Sequence, residues 1–451
     1  MPDTRPNILM IVTHDTGRRL GCYQTGVETP HLDGLAAAGA RLNRYHCTAA
    51  QCSPSRGSIL TGRFPHRNGL MGLAHVGWRL GPAERCLAQY LSDAGYDTHL
   101  AGLQHEGPDP ARLGYRDVLE GRRDARSVGA AVGHFLRSRR PHGGRPFFVM
   151  AGMRETHRPF DGPEYAPDDP DRVRVPAYLP DIPAIRSELA AFGGLARAAD
   201  AAAGIMLDAL AASDLAEDTL VVYTTDHGIA FPRAKGMSYD AGLETALIMR
   251  WPGRIQEGAQ RDELLSNVDL LPTLLEAAGI PAPEDLDGYS FLPLITGGRC
   301  VPRDHIFFEM TWHDRYNPMR GIRTAEYKYI LNFDPESPRV YLPADIYRSP
   351  SGAATRQRYY AEARPAEELY DLNADPQELV NLATDPARAA LCGEFRERLD
   401  RWMASTRDPL LRGPIAPPRA QAERLMTEDA AGRLTGPLTA QEQSLIIAAL
   451  R

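Results

Sequence analysis

Ile8-Leu9-Met10-Ile11-Val12-Thr13-His14-Asp15 sets the reading of this chain: five consecutive apolar residues that break off at a histidine and an aspartate. The same form returns twice. Phe147 to Met150 runs out near Arg154-Glu155-Thr156-His157, and Leu220 to Tyr223 runs out at Thr224-Thr225-Asp226-His227. Apolar runs this short, without polar alternation, suit strands buried on both faces. Between them lie stretches of helical character: Thr29-Pro30-His31-Leu32-Asp33-Gly34-Leu35 onward, Leu87 to Ala94, and Ser187 to Ala212. Strands alternating with helices predict an open α/β sheet covered on both sides. Ligands of such sheets sit beyond the carboxyl ends of the strands. All three polar clusters fall there.

Past residue 300 the pattern changes. Ile306 to Met310, Met319 to Thr324 and Tyr327 to Phe333 succeed one another with no long helix between them. They predict a small antiparallel sheet, followed by a helix around Leu391 to Ser405. The reading is therefore an α/β domain over residues 1–300 and a subdomain over 301–451. The last forty or so residues, with Pro414-Ile415-Ala416-Pro417-Pro418, suit an arm on the surface.

Composition narrows the classes. With 43% apolar residues the chain can bury a core and is not disordered. A net charge of −7, with no dense Lys/Arg block, argues against a nucleic-acid partner. No apolar segment approaches the roughly 18 residues of a membrane span. The first apolar run is five long, short of the roughly 7–15 of a secretory signal, so a cytoplasmic protein is expected. Six cysteines without CxxC spacing suggest free thiols rather than a zinc knuckle or disulfide framework.

The chemistry is carried by Cys52-Ser53-Pro54-Ser55-Arg56-Gly57-Ser58-Ile59-Leu60-Thr61-Gly62. Pro54 can serve as a first helical residue, Ile59-Leu60 can face the core, and Gly62 can close the helix. Cys52 then sits at a helix N-terminus, where free N–H groups attract an anion, with Arg56 one turn on. Taken alone, a cysteine near an arginine is most often a buried thiol beside a surface charge. This stretch, however, resembles the sulfatase signature C-x-P-x-R followed by T-G. The likeness continues in Thr29-Pro30-His31-Leu32-Asp33, in Asp226-His227-Gly228, and in Glu368-Leu369-Tyr370-Asp371-Leu372 with Asp375-Pro376 and Asn381-Leu382-Ala383. Within sulfatases it is closest to the heparan N-sulfatase (sulfamidase) branch. The carriers are Asn68-Gly69-Leu70-Met71-Gly72-Leu73, Gly228-Ile229-Ala230-Phe231-Pro232 and Pro318-Met319-Arg320.

The resemblance implies an alkaline-phosphatase-like fold, with a mostly parallel central sheet flanked by helices and a smaller antiparallel subdomain. It implies that a formylglycine-generating enzyme converts Cys52 to formylglycine, whose hydrate carries two hydroxyls. One attacks sulfur; the other, once deprotonated, lets the hydrate collapse and expel sulfate, which a plain Ser or Cys could not do. Arg56 becomes the supporting cation, and Asp15, Asp226 and His227 become ligands of one divalent metal, Ca²⁺ by resemblance. His105, in Gly102-Leu103-Gln104-His105, takes the proton from the hydrate. His157 stands near the leaving group. Lys235, with Tyr239 four residues on, holds the sulfate or helps protonate the departing atom. Metal, Arg56, Lys235 and a helix N-terminus all suit charge on sulfuryl oxygens, and imidazoles suit proton transfer near neutral pH.

Two departures stand out. Most sulfatases begin the site with paired aspartates; here the pair is His14-Asp15. His14 is either a ligand through a ring nitrogen or turned away with a water in its place. Two imidazoles with two carboxylates would suit Mn²⁺ or another first-row ion better than Ca²⁺. Many members also have Gly-Lys-x-His, where this chain has Leu103, so one positive charge is missing; Gln104 could offer a hydrogen bond to substrate. His75, Trp78, Trp312, His313 and Asp314 could line a pocket, although tryptophans are equally at home in a core. The expected activity is hydrolysis of a sulfate ester or sulfamate on a small molecule or saccharide. The alternatives are a phosphonate monoester or phosphodiester hydrolase on the same scaffold, and a non-catalytic binding protein. The intact Cys52-x-Pro54-x-Arg56 speaks against the last.

Overall fold

The computed structural model describes residues 5–139, 144–162 and 165–451. Its main sheet has eight strands: β1 (Asn7–Thr13), β2 (Ala40–His46), β3 (Asp97–Gly102), β4 (Asp117–Glu120), β5 (Phe147–Gly152), β6 (Thr219–Thr225), β7 (Leu247–Arg250) and β8 (Ala259–Ser266). They lie in the order β4-β3-β5-β1-β6-β7-β2-β8, and every pairing is parallel except the two made by β7. Strand β1 is central, between β5 and β6. Its alternate residues feed two different cores: Ile8, Met10 and Val12 one side, Leu9 and Ile11 the other. That double burial is why the sequence there runs apolar without alternation.

The helices Ala125–Ser138 and Pro183–Ala211 pair across one face. They approach closely because Gly129 faces Ala202, where an added Cβ would stand 3.0 Å from its atoms. The Pro183–Ala211 helix is 29 residues long and apolar enough by composition to cross a membrane, but 72% of its most apolar stretch is buried inside the fold.

A second sheet, in the order β12-β11-β10-β9, is antiparallel throughout: β9 (His305–Trp312), β10 (Tyr316–Thr324), β11 (Tyr327–Asn332) and β12 (Glu367–Asp371). Beneath it Arg320 is fully buried; its guanidinium binds the Asp408 carboxylate and donates to Met310 O at 2.7 Å. Asp408→Ala should therefore cost about 3–5 kcal/mol, because it removes the carboxylate that hydrogen-bonds a buried guanidinium and leaves only the more distant Glu309 beside it. Urea unfolding of the pair of proteins measures this.

The last forty residues differ from a surface arm. They form the helices Arg419–Ala430 and Ala440–Leu450, whose Ala422, Leu425, Leu445 and Ile446 join a core with Trp78 and Trp312. Both indoles are satisfied there, Trp78 Nε1 donating to Gln421 Oε1 at 2.7 Å and Trp312 Nε1 to Ile415 O at 2.8 Å. The tryptophans are packing residues that dock the tail.

Candidate active site

The site is assembled by register. Thr13 of β1 pairs with Thr225 of β6, so the next residues along each strand, His14-Asp15 and Asp226-His227, emerge side by side. Asp15 takes a left-handed backbone (φ 56°) and its N–H donates to Asp226 Oδ1 at 2.9 Å. A non-glycine residue in that region costs energy and is kept where surrounding structure demands it. Cys52 opens the helix Cys52–Thr61, and Gly62 closes it at φ 66°. Pro54 is thus the third helical residue and not the first. It is tolerated because the first-turn N–H groups have no helical partner to lose. Asn267 Nδ2 donates to Ser55 Oγ at 3.0 Å, and the same hydroxyl donates to Asp226 O, tying the helix to the end of β6.

Charge then gathers around Cys52. Its Sγ lies 3.5 Å from His227 Nε2 and 4.0 Å from Asp15 Oδ1. Arg56 is buried, its Nε donating to Asp226 Oδ2 at 3.0 Å. Lys235, also buried, bridges Asp15 Oδ2 and Asp345 Oδ2 at 2.8 Å each, and its Nζ is 3.3 Å from His157 Nε2. His157 stands at the mouth, partly open to solvent. His105 lies just past β3, with Nδ1 3.4 Å from His14 Nε2; burial is the main cause pushing its pKa down to about 4, so its ring is neutral and able to accept a proton.

A family model described as sulfatase matches residues 6–280, more than half of this chain. The chain belongs to the sulfatase family. A second family model, N-sulphoglucosamine sulphohydrolase, C-terminal, matches residues 228–345. The chain is 30% identical over 468 residues to N-sulphoglucosamine sulphohydrolase of Homo sapiens, spanning 90% of this chain and 92% of that protein. With arylsulfatase A of Homo sapiens it shares 31% identity over 448 residues, 84% of this chain and 83% of that one. A solved structure described in complex with its substrate D-glucosamine-2-N,6-O-disulfate shares the fold, with TM-score 0.69, 20% identity, and coverage of 90% of this chain and 98% of that chain. The chain is accordingly a hydrolase of sulfuric esters or sulfamates, on the sulfamidase-like branch of sulfatases.

Most residues named from the sulfatase resemblance meet in space: Asp15, Cys52, Arg56, His105, His157, Asp226, His227 and Lys235 form one cluster, buried except at the half-buried His105 and His157. His14 has not turned away. Its Nδ1 lies 2.7 Å from Asp15 Oδ1 and 3.3 Å from Asp226 Oδ2. Gln104 is different. Its amide serves its own turn, Nε2 donating to Gly107 O at 2.5 Å and Oε1 accepting from Glu106 N at 3.0 Å and Gly107 N at 3.1 Å. The loop turns sharply after β3 and uses the glutamine amide for its own hydrogen bonds. Leu103 is buried and brings no charge. Asp345, which fixes Lys235, was not legible in the sequence: it stands in Pro343-Ala344-Asp345-Ile346, with no spacing that ties it to the sulfatase motifs.

The donor set in this sulfatase fits a divalent ion. His227 Nδ1 lies 2.9 Å from Gly228 O, which assigns the proton to Nδ1 and leaves a lone pair on Nε2. That lone pair faces Asp15 Oδ1 at 3.0 Å. At this separation both atoms are placed to coordinate one divalent ion. Ligand atoms of His14, Asp15, Cys52, Asp226 and His227 all lie within 4.8 Å of one another.

Proposed function

We propose that this chain removes sulfate from an amino-sugar saccharide, as a sulfate ester or sulfamate, using formylglycine at Cys52 and one divalent metal. The α/β domain of residues 1–300 carries most of this machinery, and residues 301–451 add Asp345, which holds Lys235. The observation that carries the reading is the convergence on Cys52, at a helix N-terminus, of Asp15, Asp226, His227, Arg56, Lys235 and His105. The saccharide part rests on likeness to N-sulphoglucosamine sulphohydrolase and to a fold relative described with a glucosamine disulfate.

Formylglycine would supply the paired hydroxyls that attack sulfur and then release it; the metal, held by Asp15, Asp226, His227 and His14, would supply charge against the sulfuryl oxygens. The chain does the rest. Arg56, locked on Asp226, keeps that carboxylate aimed inward. Lys235 is fixed from two sides by Asp15 and Asp345, so its ammonium needs no reorganisation to meet an anion. His157, at the mouth beside Lys235, is within reach of the departing atom. His105, kept neutral by burial, accepts a proton near the nucleophile.

The test is a panel of sulfate esters, sulfamates and phosphodiesters. Hydrolysis of sulfated amino sugars supports the reading, and preference for phosphodiesters overturns it. His105→Ala separates the two halves of the reaction. Leaving group should appear in a burst, while sulfate release slows by about 10²–10⁴-fold. Equal slowing of both products would move His105 out of this role.

A further inference from the structure

His313 comes directly after β9 and is almost wholly buried. Its Nδ1 lies 3.1 Å from Asp314 Oδ2, a carboxylate that also accepts from Ala344 N at 2.6 Å. Its main-chain oxygen accepts from Gln421 Nε2 at 2.7 Å, and the Tyr341 ring stands edge-on at 6.4 Å. The ring is thus held from several sides. Its Nε2, in contrast, is buried and has no hydrogen-bond partner among the described residues. The Cys52 side chain approaches this ring within reach of a hydrogen bond, and the Lys235 ammonium acts on it by its charge. A buried ring nitrogen without a partner is costly. Here the ring stands beside the Cys52 side chain, the proposed nucleophile.

We propose that His313, oriented by Asp314, donates its Nε2–H to a sulfuryl oxygen of the bound substrate. The arrangement is that of a carboxylate holding one imidazole nitrogen so that the other points at the reacting group. Asp314 does a second thing. Burial works to lower the His313 pKa, but the charge and hydrogen bond of Asp314, joined by the Cys52 side chain, raise it to about 9, which favours the charged ring near neutral pH. A charge-assisted donor is worth about twice a neutral one. The site thereby regains a cation that Leu103 does not provide. Both Asp314 and Gln421 come from the C-terminal part of the chain, so the docked tail takes part in setting the anion site. This inference rests on Cys52 being the reacting position.

Binding of inorganic sulfate, measured by titration calorimetry, reads the contact without any turnover. His313→Ala should weaken it by about tenfold or more, and His313→Gln, which keeps a neutral donor, should weaken it less. Asp314→Asn should fall between the two. With an aryl sulfate as substrate, kcat/KM of His313→Ala should drop by about 10²–10³-fold at unchanged metal content and formylglycine occupancy. A merely structural histidine would lower the melting temperature and leave the sulfate affinity of the folded protein untouched. Should His313→Ala misfold, His313→Gln against Asp314→Asn decides the matter by the same affinity. Wild-type sulfate affinity in the histidine variants overturns the proposal. A wild-type enzyme that prefers phosphodiesters would instead overturn the sulfatase chemistry, and the sulfate affinities would still decide His313.

Discussion

Cys52→Ala is expected to fold normally and to lose at least about 10⁴-fold in turnover, since it removes the proposed nucleophile. The fold should hold because the thiol is not tightly bound: it lies 3.5 Å from His227 Nε2 and 4.0 Å from Asp15 Oδ1. The helix it opens is anchored elsewhere, by Asn267 on Ser55 and by Thr48 Oγ1 donating to Ser58 Oγ at 2.8 Å. An alanine at the first helical position also keeps helix propensity. Two further measurements make the result specific. In the wild type, the peptide holding Cys52 should be lighter by about 18 Da, the mass of sulfur and two hydrogens replaced by oxygen. Cys52→Ser should release at most one equivalent of leaving group, because one hydroxyl can attack but cannot then eject sulfate. Full activity in the alanine variant would end the proposal whatever the mass of the peptide.

The fold was legible where burial is total. β1, β5 and β6 carry no polar alternation, so their apolar runs are short and sharply bounded, and the polar residues that end them mark the site. The helix Ser187 to Ala212 was equally plain, although the structure starts it at Pro183, which can open a helix. β12 is another matter. Glu367–Asp371 has acidic residues at its ends, and it becomes a strand only because β11 offers it a ladder. The docked tail was hidden for a similar reason. Pro414 to Pro418 reads as an exposed segment, while the contacts that bury the two C-terminal helices come from Trp78 and Trp312, far away in sequence. At the site, residues at strand ends or within a motif could be named. Asp345 could not, because its role exists only through Lys235, 110 positions away. Gln104 shows the converse, a polar residue next to a named histidine whose amide is engaged by its own turn. Local pattern shows which groups are available; the tertiary structure decides what each one binds.

Stripping the metal is expected to lower turnover by about 10³-fold or more, the several kcal/mol that a Lewis acid contributes to charge development. The donors determine which ion restores it. Asp15 and Asp226 alone would favour Ca²⁺, a hard ion that takes oxygen. His227 Nε2, its proton assigned to the other nitrogen by Gly228 O, adds a borderline-soft donor 3.0 Å from Asp15 Oδ1. His14 Nδ1 sits 2.7 Å from the same oxygen and, as a proposed ligand, would add a second. Mn²⁺ or another first-row ion should therefore bind more tightly than Ca²⁺, by roughly tenfold or more in calorimetric titration of the stripped protein. Activity should recover in the same order. His14→Asp restores the paired aspartates of most sulfatases and should shift affinity back toward Ca²⁺, while His14→Ala should weaken binding of first-row ions by about 10–100-fold without that shift. Metal content measured on the purified variants checks the affinities independently of turnover. If the stripped wild type binds Ca²⁺ as tightly as Mn²⁺, and His14→Asp changes neither, then the imidazole of His14 is a neighbour of the ion and not one of its ligands. The two-nitrogen argument would fall with it, leaving Asp15, Asp226 and His227 to hold the metal.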